Sequence, residues 1–496
     1  MTRDNTPTPF NMAAHVLAGA ASAPDRTALS VLAEDHAENW TYAQLERAVR
    51  GTATGLLDTG LVAGDRVLLR LGNTPVFPVA YLGCIAAGLI PVPTSAQLTV
   101  PEITALAHDV VPAAVIAEDG IALPHHAAPV LHDLAKFFAL PAAPYTLGDP
   151  DRAAYIIYTS GTSGRPRGVI HAHRAILARG MMQTGWTGLT THDRLLHAGA
   201  FNWTYTLGTG LLDPWKQGAT ALIPAAGTPV HALPHLLAHH QATIFAAAPG
   251  IYRQILAQAI PALPHLRHGL SAGEKLPQPI REAWAAATGT DIHEAYGMSE
   301  CSTFISGSPT TPAEAGTLGQ PQKGRRIALL KEDGMAADHG QIAVHRSDPG
   351  LMLGYWGAPE DTAAKLQGDW FLTGDIGTRT TSGAIHYDGR ADDMMNAGGF
   401  RVSPIEVEAA LATHPKITEA AVAELPVKAD TTVIAAFYVS PYVIDEDALA
   451  AFCAARLARY KTPRLFIRCD ALPRGANNKL LRRRLRQDWE ADHGQT

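Results

Sequence analysis

The stretch from Tyr158 to Val169, "YTSGTSGRPRGV", places three glycines and four Ser/Thr hydroxyls around two arginines, Arg165 and Arg167. The preceding "AAYIIY" reads as a buried strand, and the following "VIHAHRAILARG" fits a helix. Strand, glycine loop and helix make a geometry in which backbone N–H groups converge on an anion, with glycine supplying positive φ and close approach. Gly161 and Gly164 suit that geometry, and Thr159, Ser160, Thr162 and Ser163 add donors. No glycine here is followed by Lys and then Ser/Thr, so the GxxxxGK[ST] phosphate loop is excluded. On composition alone the stretch is either a phosphate cradle or a plain surface turn.

The chain outside the loop sets the bounds. At 496 residues it exceeds what one hydrophobic core serves, which implies two or three domains. Its 47% hydrophobic and 17% charged residues are those of an ordinary globular protein. The net charge is −6, and the only dense basic run is "RRRLR" at Arg482 to Arg486, which fits a decorated helix rather than a nucleic-acid footprint. Four scattered cysteines without a C-x-x-C pair, and a start without the apolar core of a signal peptide, point to a reducing cytoplasm. The most apolar stretch, "VFPVAYLGCIAAGLIPVP", is broken by Pro78, Pro91 and Pro93, so no membrane span is expected.

Short apolar runs alternate with helical patterns through the first four-fifths of the chain. "GDRVLLRL" reads as a strand, "PVFPVAYLGCIAAG" as a helix and "AAVIAED" as a strand again, the rhythm of a wound α/β sheet. "GQIAVHR" and "GAIHYDGRADDMM" read as antiparallel β. A smaller unit follows, with helices in "SPIEVEAALATH" and "DEDALAAFCAARLARY" and strands in "ITEAAVAELPV" and "TTVIAAFYVS".

Five motifs in order decide between cradle and turn: the glycine loop, "YGMSE" (Tyr296 to Glu300), "TGD" (Thr373 to Asp375), "GRADD" (Gly389 to Asp393) and a terminal motif with Lys479. With them, the chain resembles the adenylate-forming superfamily of acyl- and aryl-CoA ligases, luciferases and peptide-synthetase adenylation domains, from "WTYAQL" at Trp40 to "NKLLRRRLR" ending at Arg486. The resemblance implies a large N-terminal wound α/β domain with a β-barrel-like portion over 1–391, which binds ATP and the acid. A small mobile α+β domain over 392–496 would carry the catalytic lysine. It implies an acid–thiol ligase that joins a carboxylate to ATP, releases pyrophosphate, and passes the acyl group from AMP to a thiol. The cofactors it implies are ATP and Mg²⁺, with coenzyme A as co-substrate.

By the same resemblance the loop holds the β- and γ-phosphates, with Arg167 where the family usually has lysine. Arginine grips phosphate as a planar fork rather than a point charge, so the exchange is not neutral. Glu300 is expected to organise Mg²⁺, a hard cation that takes oxygen ligands. Ser299 is expected on the α-phosphate, and Tyr296 and Gly297 against adenine. "SAGEKL", with Gly273 and Glu274, would meet the adenine edge. Asp375 would accept from the ribose hydroxyls, Arg390 would lie near ribose and α-phosphate, Lys479 would bridge carboxylate and phosphate, and Asp392 would be the hinge of the small domain. Cys301, beside Glu300 without a base, reads as a small buried residue.

The segments that line the acid pocket in relatives read "AGAFNWTYTLGTG", "AAAPG" and "SAG" here. They contribute Phe201, Asn202, Trp203, Tyr205 and Ala248, joined by Met298. Asn202 stands where amino-acid-activating relatives commonly place an aspartate, and a buried ammonium without a counter-charge is costly. No arginine is present to pair a second carboxylate. A neutral monocarboxylate is left, with the aromatics favouring a flat benzoate-like or alicyclic ring over a chain, although core packing explains the same aromatics. Short- and medium-chain fatty acids are the alternative. The chain stops soon after Lys479, so the thiol is expected to arrive separately, as coenzyme A or, alternatively, on a carrier protein. A homodimer is left open. His231, His235 and His239 recur every four residues but lack a HExxH pattern, and read as an exposed helix face. His171 and His173 need no metal.

Overall fold

The computed structural model describes residues 6–160, 166–391, 393, 395–397, 400–428, 431–457, 459–475 and 480–493. Its contacts group the chain into two units, 1–327 with 344–371, and 328–343 with 372–496. The division crosses three strands, Ile327–Leu330, His339–His345 and Trp370–Arg379. The fold is mixed α/β with a larger first unit and a smaller second one, as expected.

The larger unit is built on a nine-stranded sheet whose middle strands, among them Thr27–Leu32, Arg194–His197, Ile244–Ala246 and His268–Ala272, run parallel. Antiparallel strands close its edges, Ala37–Thr41 on one side and Ser302–Ser306 with Gln320–Pro321 on the other. A second, parallel sheet carries the predicted strands as Arg66–Arg70 and Ala114–Ala117, and the predicted helix as Val76–Ala86. That helix is buried over nearly its whole length, which is why its sequence is apolar on every face. A side chain at Gly83 would meet Thr52 Cγ2 at 2.7 Å, so glycine sets the distance at which this helix crosses Tyr42–Asp58. A three-stranded antiparallel sheet joins Ala153–Ser160, Pro166–Ala172 and Gly354–Tyr355.

In the smaller unit, Glu419–Lys428 and Thr431–Val439 pair antiparallel, and Leu465–Cys469 adds in parallel. Val407, Leu411, Val422, Ala436, Leu449 and Cys453 form one core cluster. The basic run lies on helix Arg482–His493. Leu485 is its buried residue, while Arg484 and Arg486 pair with Asp488 and Glu490 one turn on. No helix among the described residues is long and apolar enough to cross a membrane.

Candidate active site

The expected strand–loop–helix at the opening stretch is corrected by the structure. Ala153–Ser160 is a strand, but Pro166–Ala172 is a second strand paired to it antiparallel, with Thr159 opposite Arg167, and the helix begins only at Ala175. Val169, His171 and Ala172 are buried, and Gly354–Tyr355 pairs on the free side of the same strand. The short apolar run "VIHA" fits either period, and pairing on both sides selects the strand. A strand, Pro166–Ala172, thus stands between the quoted glycines and the helix Ala175–Met182. Gly161, Thr162, Ser163 and Gly164 lie outside the described residues, as does the side chain of Ser160.

Arg167 is described, and it is engaged. Its Nη2 lies 2.9 Å from Asp361 Oδ2, and its guanidinium carbon lies 5.4 Å from the Tyr355 ring centroid. Tyr355 was not singled out from sequence. Its hydroxyl donates to Glu300 Oε1 at 2.7 Å, so one side chain touches both the loop arginine and the expected metal carboxylate. Burial, then the Glu300 carboxylate, pushes the Tyr355 phenol well above its ordinary range, so it is the protonated donor at neutral pH.

Glu300 and Ser299 sit in the turn between strands Ile292–Met298 and Ser302–Ser306, with Tyr296 and Gly297 at a register shift just before it. A side chain at Gly297 would meet Ser302 O at 2.2 Å, so only glycine lets the hairpin close this tightly. The Tyr296 ring meets Phe304 edge-on at 5.2 Å. The turn is braced from behind. His171 Nε2 donates to Ser299 O at 2.7 Å, and Met352 N–H donates to Glu300 O at 2.8 Å. Arg325, fully buried and paired with Asp348 at 2.8 Å, donates to Cys301 O and Thr303 O, both at 3.0 Å. Arg179, paired with Asp213 at 2.7 Å, donates to Ser302 Oγ. Cys301 is the small buried residue expected, and burial raises its thiol pKa.

Burial lowers the His171 pKa to about 4, so the ring is neutral, and its bond to a carbonyl places the proton on Nε2. Its Nδ1 is buried without a partner among the described residues. Tyr81, Tyr155, His171, Arg179, Ser299 and Ser302 help line a cavity of about 20 Å³ behind the turn, room for a single water.

The acid-pocket residues divide by burial. Phe201 is 2% exposed, against Phe77 at 5.7 Å, and Tyr205 is 7% exposed with its hydroxyl donating to Leu270 O at 3.0 Å, so both pack into the core. Asn202, Trp203, Ala248 and Met298 are half-buried. Trp203 lies edge-on to Tyr205 at 5.3 Å and covers Gly273, where φ is +94° and an added Cβ would meet the indole at 2.6 Å. Glycine is needed here for the backbone conformation and for the tryptophan seat. Glu274 is half-buried beside it. Sequence reasoning missed His197, whose two ring nitrogens are buried without partners among the described residues, as are Thr206 Oγ1 and Ser271 Oγ. Burial takes its pKa to about 3. Its signal was its place, immediately before the quoted "AGAFNWTYTLGTG".

In the smaller unit "TGD" lies within strand Trp370–Arg379, and Asp375 pairs across from Arg390. Asp375 Oδ1 accepts from Tyr387 Oη at 3.2 Å and lies 3.4 Å from Arg390 Nη1, which also donates to Thr373 O at 3.3 Å. Asp393 lies 3.4 Å from Arg482, which also pairs with Glu408. Asp392 and Lys479 lie outside the described residues. His231, His235 and His239 are exposed, and no group of three metal-ligating side chains occurs among the described residues.

Two family models match the chain: AMP-binding enzyme over residues 17–356, and AMP-binding enzyme C-terminal domain over 406–479. Benzoate–CoA ligase of Thauera aromatica is 31% identical over 91% of this chain and 91% of its own length. The mitochondrial acyl-coenzyme A synthetase ACSM2 of Rattus norvegicus is 30% identical over 91% of this chain and 86% of its own. Among solved structures, an anthranilate CoA ligase in complex with anthranoyl-AMP superposes with a TM-score of 0.87 at 26% identity, covering 99% of both chains. The hairpin arginine, the braced glutamate turn, the Asp375–Arg390 strand pair and these matches have one common reading: the chain belongs to the AMP-binding enzyme family, within the adenylate-forming superfamily.

Proposed function

We propose that the protein is an AMP-forming acid–CoA ligase whose acid is an aromatic, benzoate-like or alicyclic monocarboxylate, and that it works in the cytoplasm. The observation that carries the adenylating part is the contact of Tyr355 with both Glu300, at 2.7 Å, and Arg167, at 5.4 Å. A metal-organising carboxylate in the turn and a phosphate-gripping guanidinium on strand Pro166–Ala172 are thereby set against one side chain. The aromatic acid is supported by Trp203 on Gly273, by the lack of Asp, Glu or Arg from Ala198 to Gly210, and by the aryl-CoA ligases among the relatives.

The donor set fits Mg²⁺. Glu300 offers a single carboxylate, and this cation is commonly held by one or two carboxylates together with substrate phosphates and water. Bound there, the ion supplies charge neutralisation on the phosphates. Arg167 grips the pyrophosphate side of ATP, Ser299 donates to the α-phosphate, and Tyr296 and the Gly273–Glu274 segment hold adenine. Asp375 accepts from the ribose hydroxyls. Lys479 and Arg390 stabilise charge as the acid's carboxylate attacks the α-phosphate and pyrophosphate leaves. The thiol of coenzyme A then displaces AMP. We place the moving boundary at 391/392, with Asp392 as the hinge between the ATP- and acid-binding part and the lysine-bearing part.

The test is a panel of benzoates, alicyclic acids and short- to medium-chain fatty acids, read as pyrophosphate and AMP release with and without coenzyme A. Acid-dependent pyrophosphate release with coenzyme A-dependent AMP release, strongest for ring acids, supports the proposal. Strongest turnover with fatty acids selects the short- to medium-chain alternative, and a preference for amino acids contradicts the reading of Asn202.

A further inference from the structure

Arg167, read above as the grip on pyrophosphate, is already occupied by a carboxylate. Asp361 Oδ2 lies 2.9 Å from Arg167 Nη2, and the two side chains are 44% and 25% exposed. The pair is held in place from both ends. Arg167 leaves strand Pro166–Ala172 beside Gly354–Tyr355, whose neighbours Leu353 and Trp356 donate to Ile170 O at 2.8 Å and Gly168 O at 2.7 Å. Asp361 stands in the short helix Pro359–Ala363, and the next residue, Thr362, accepts from Tyr355 N–H through Oγ1 at 2.9 Å. The carboxylate is thus tied to the strand that presents the arginine.

We infer that Asp361 is a displaceable counter-charge for Arg167, which holds the guanidinium on the Tyr355 ring when the phosphate site is empty and competes with pyrophosphate for it after adenylation. The inference rests on the proposed role of the loop. A carboxylate beside a phosphate-binding arginine opposes the binding of a multiply charged anion, and the opposition is strongest for free pyrophosphate. Arginine suits such an exchange because its planar fork can pass from carboxylate to phosphate without losing its stacking on Tyr355. The device favours product release over tight grip. The ion pair is partly solvated, so its effect is modest.

Calorimetric titration of magnesium pyrophosphate into the intact protein tests the inference without relying on turnover. Asp361→Asn is expected to bind pyrophosphate about three- to fivefold more tightly than the unaltered protein, with product inhibition strengthened to match and the gap shrinking in high salt. Arg167→Gln is expected to weaken pyrophosphate binding, and adding Asp361→Asn to it should change nothing more. Equal or weaker binding by Asp361→Asn, in a protein that melts normally, overturns the inference and leaves the role of the loop standing. Unchanged binding by Arg167→Gln overturns the role of the loop itself, and the inference with it. Asp361→Ser repeats the measurement should Asp361→Asn fold poorly.

Discussion

The turn that carries Ser299 and Glu300 and the hairpin that carries Arg167 belong to the same unit and are supported in opposite ways. Behind the turn stand two buried ion pairs, Arg325–Asp348 at 0% exposure for both side chains and Arg179–Asp213 at 9% and 8%. Beside the hairpin stands one ion pair, Arg167–Asp361, at 25% and 44%. Buried pairs whose remaining donors are spent on the turn, on the carbonyls of Cys301 and Thr303 by Arg325 and on the Ser302 hydroxyl by Arg179, fix it. A solvated pair is cheap to exchange. With the roles proposed above, that difference makes a rigid carboxylate platform and an adjustable phosphate grip.

The largest predicted effect strikes the rigid side. Arg325→Met leaves Asp348 buried without its counter-charge and frees the carbonyls of Cys301 and Thr303, so unfolding stability should fall by about 3–5 kcal/mol, read by denaturant titration. Asp361→Asn should cost no more than ~1 kcal/mol in the same assay. Equal losses would erase the contrast.

Acid reaches the rigid side next. Burial lowers His171 and His197 from 6.5 to about 4 and about 3. Below pH 6.5 the unfolded chain binds protons that the folded chain refuses, so stability is full above 6.5 and is lost as pH falls towards 4. Melting temperature should drop steadily over that window, and His171→Gln should flatten part of the slope.

A smaller effect falls on the link between the two regions. Tyr355→Phe removes a hydrogen bond to a carboxylate, worth roughly 1.5–3 kcal/mol, and should raise the Mg²⁺ concentration needed for half-maximal pyrophosphate release about tenfold while leaving the KM for the acid unchanged. Arg167→Lys should change the KM for ATP by no more than roughly fivefold, because the charge is kept and only the fork is lost. A larger change would mean that the hairpin is as demanding as the turn.

The motifs and most elements were legible in the sequence because they are local. "GDRVLLRL", "AAYIIY" and the strands of the smaller unit declare themselves by period and punctuation. "VIHAH" did not, since a short apolar run suits a helix or a strand until its partners are known, and those partners lie at Ala153–Ser160 and Gly354–Tyr355. "TGD" lies mid-strand, a placement that its three residues alone do not declare. Tyr355, Asp348 and Asp361 could not be read as site neighbours, because each meets its partner across 23 to 194 residues of chain. Of the pocket aromatics, the composition could not separate Phe201 and Tyr205, which pack inward, from Trp203, which stays half-exposed above Gly273.

The central claim is a two-step reaction through an acyl-adenylate, and Lys479→Ala tests it most directly by separating the steps. With benzoate, ATP and Mg²⁺, formation of the adenylate should slow at least about a hundredfold, the cost of removing one preorganised charge contact. Thioester formation from supplied benzoyl-adenylate and coenzyme A should proceed at close to the unaltered rate. Equal loss of both steps would contradict the account.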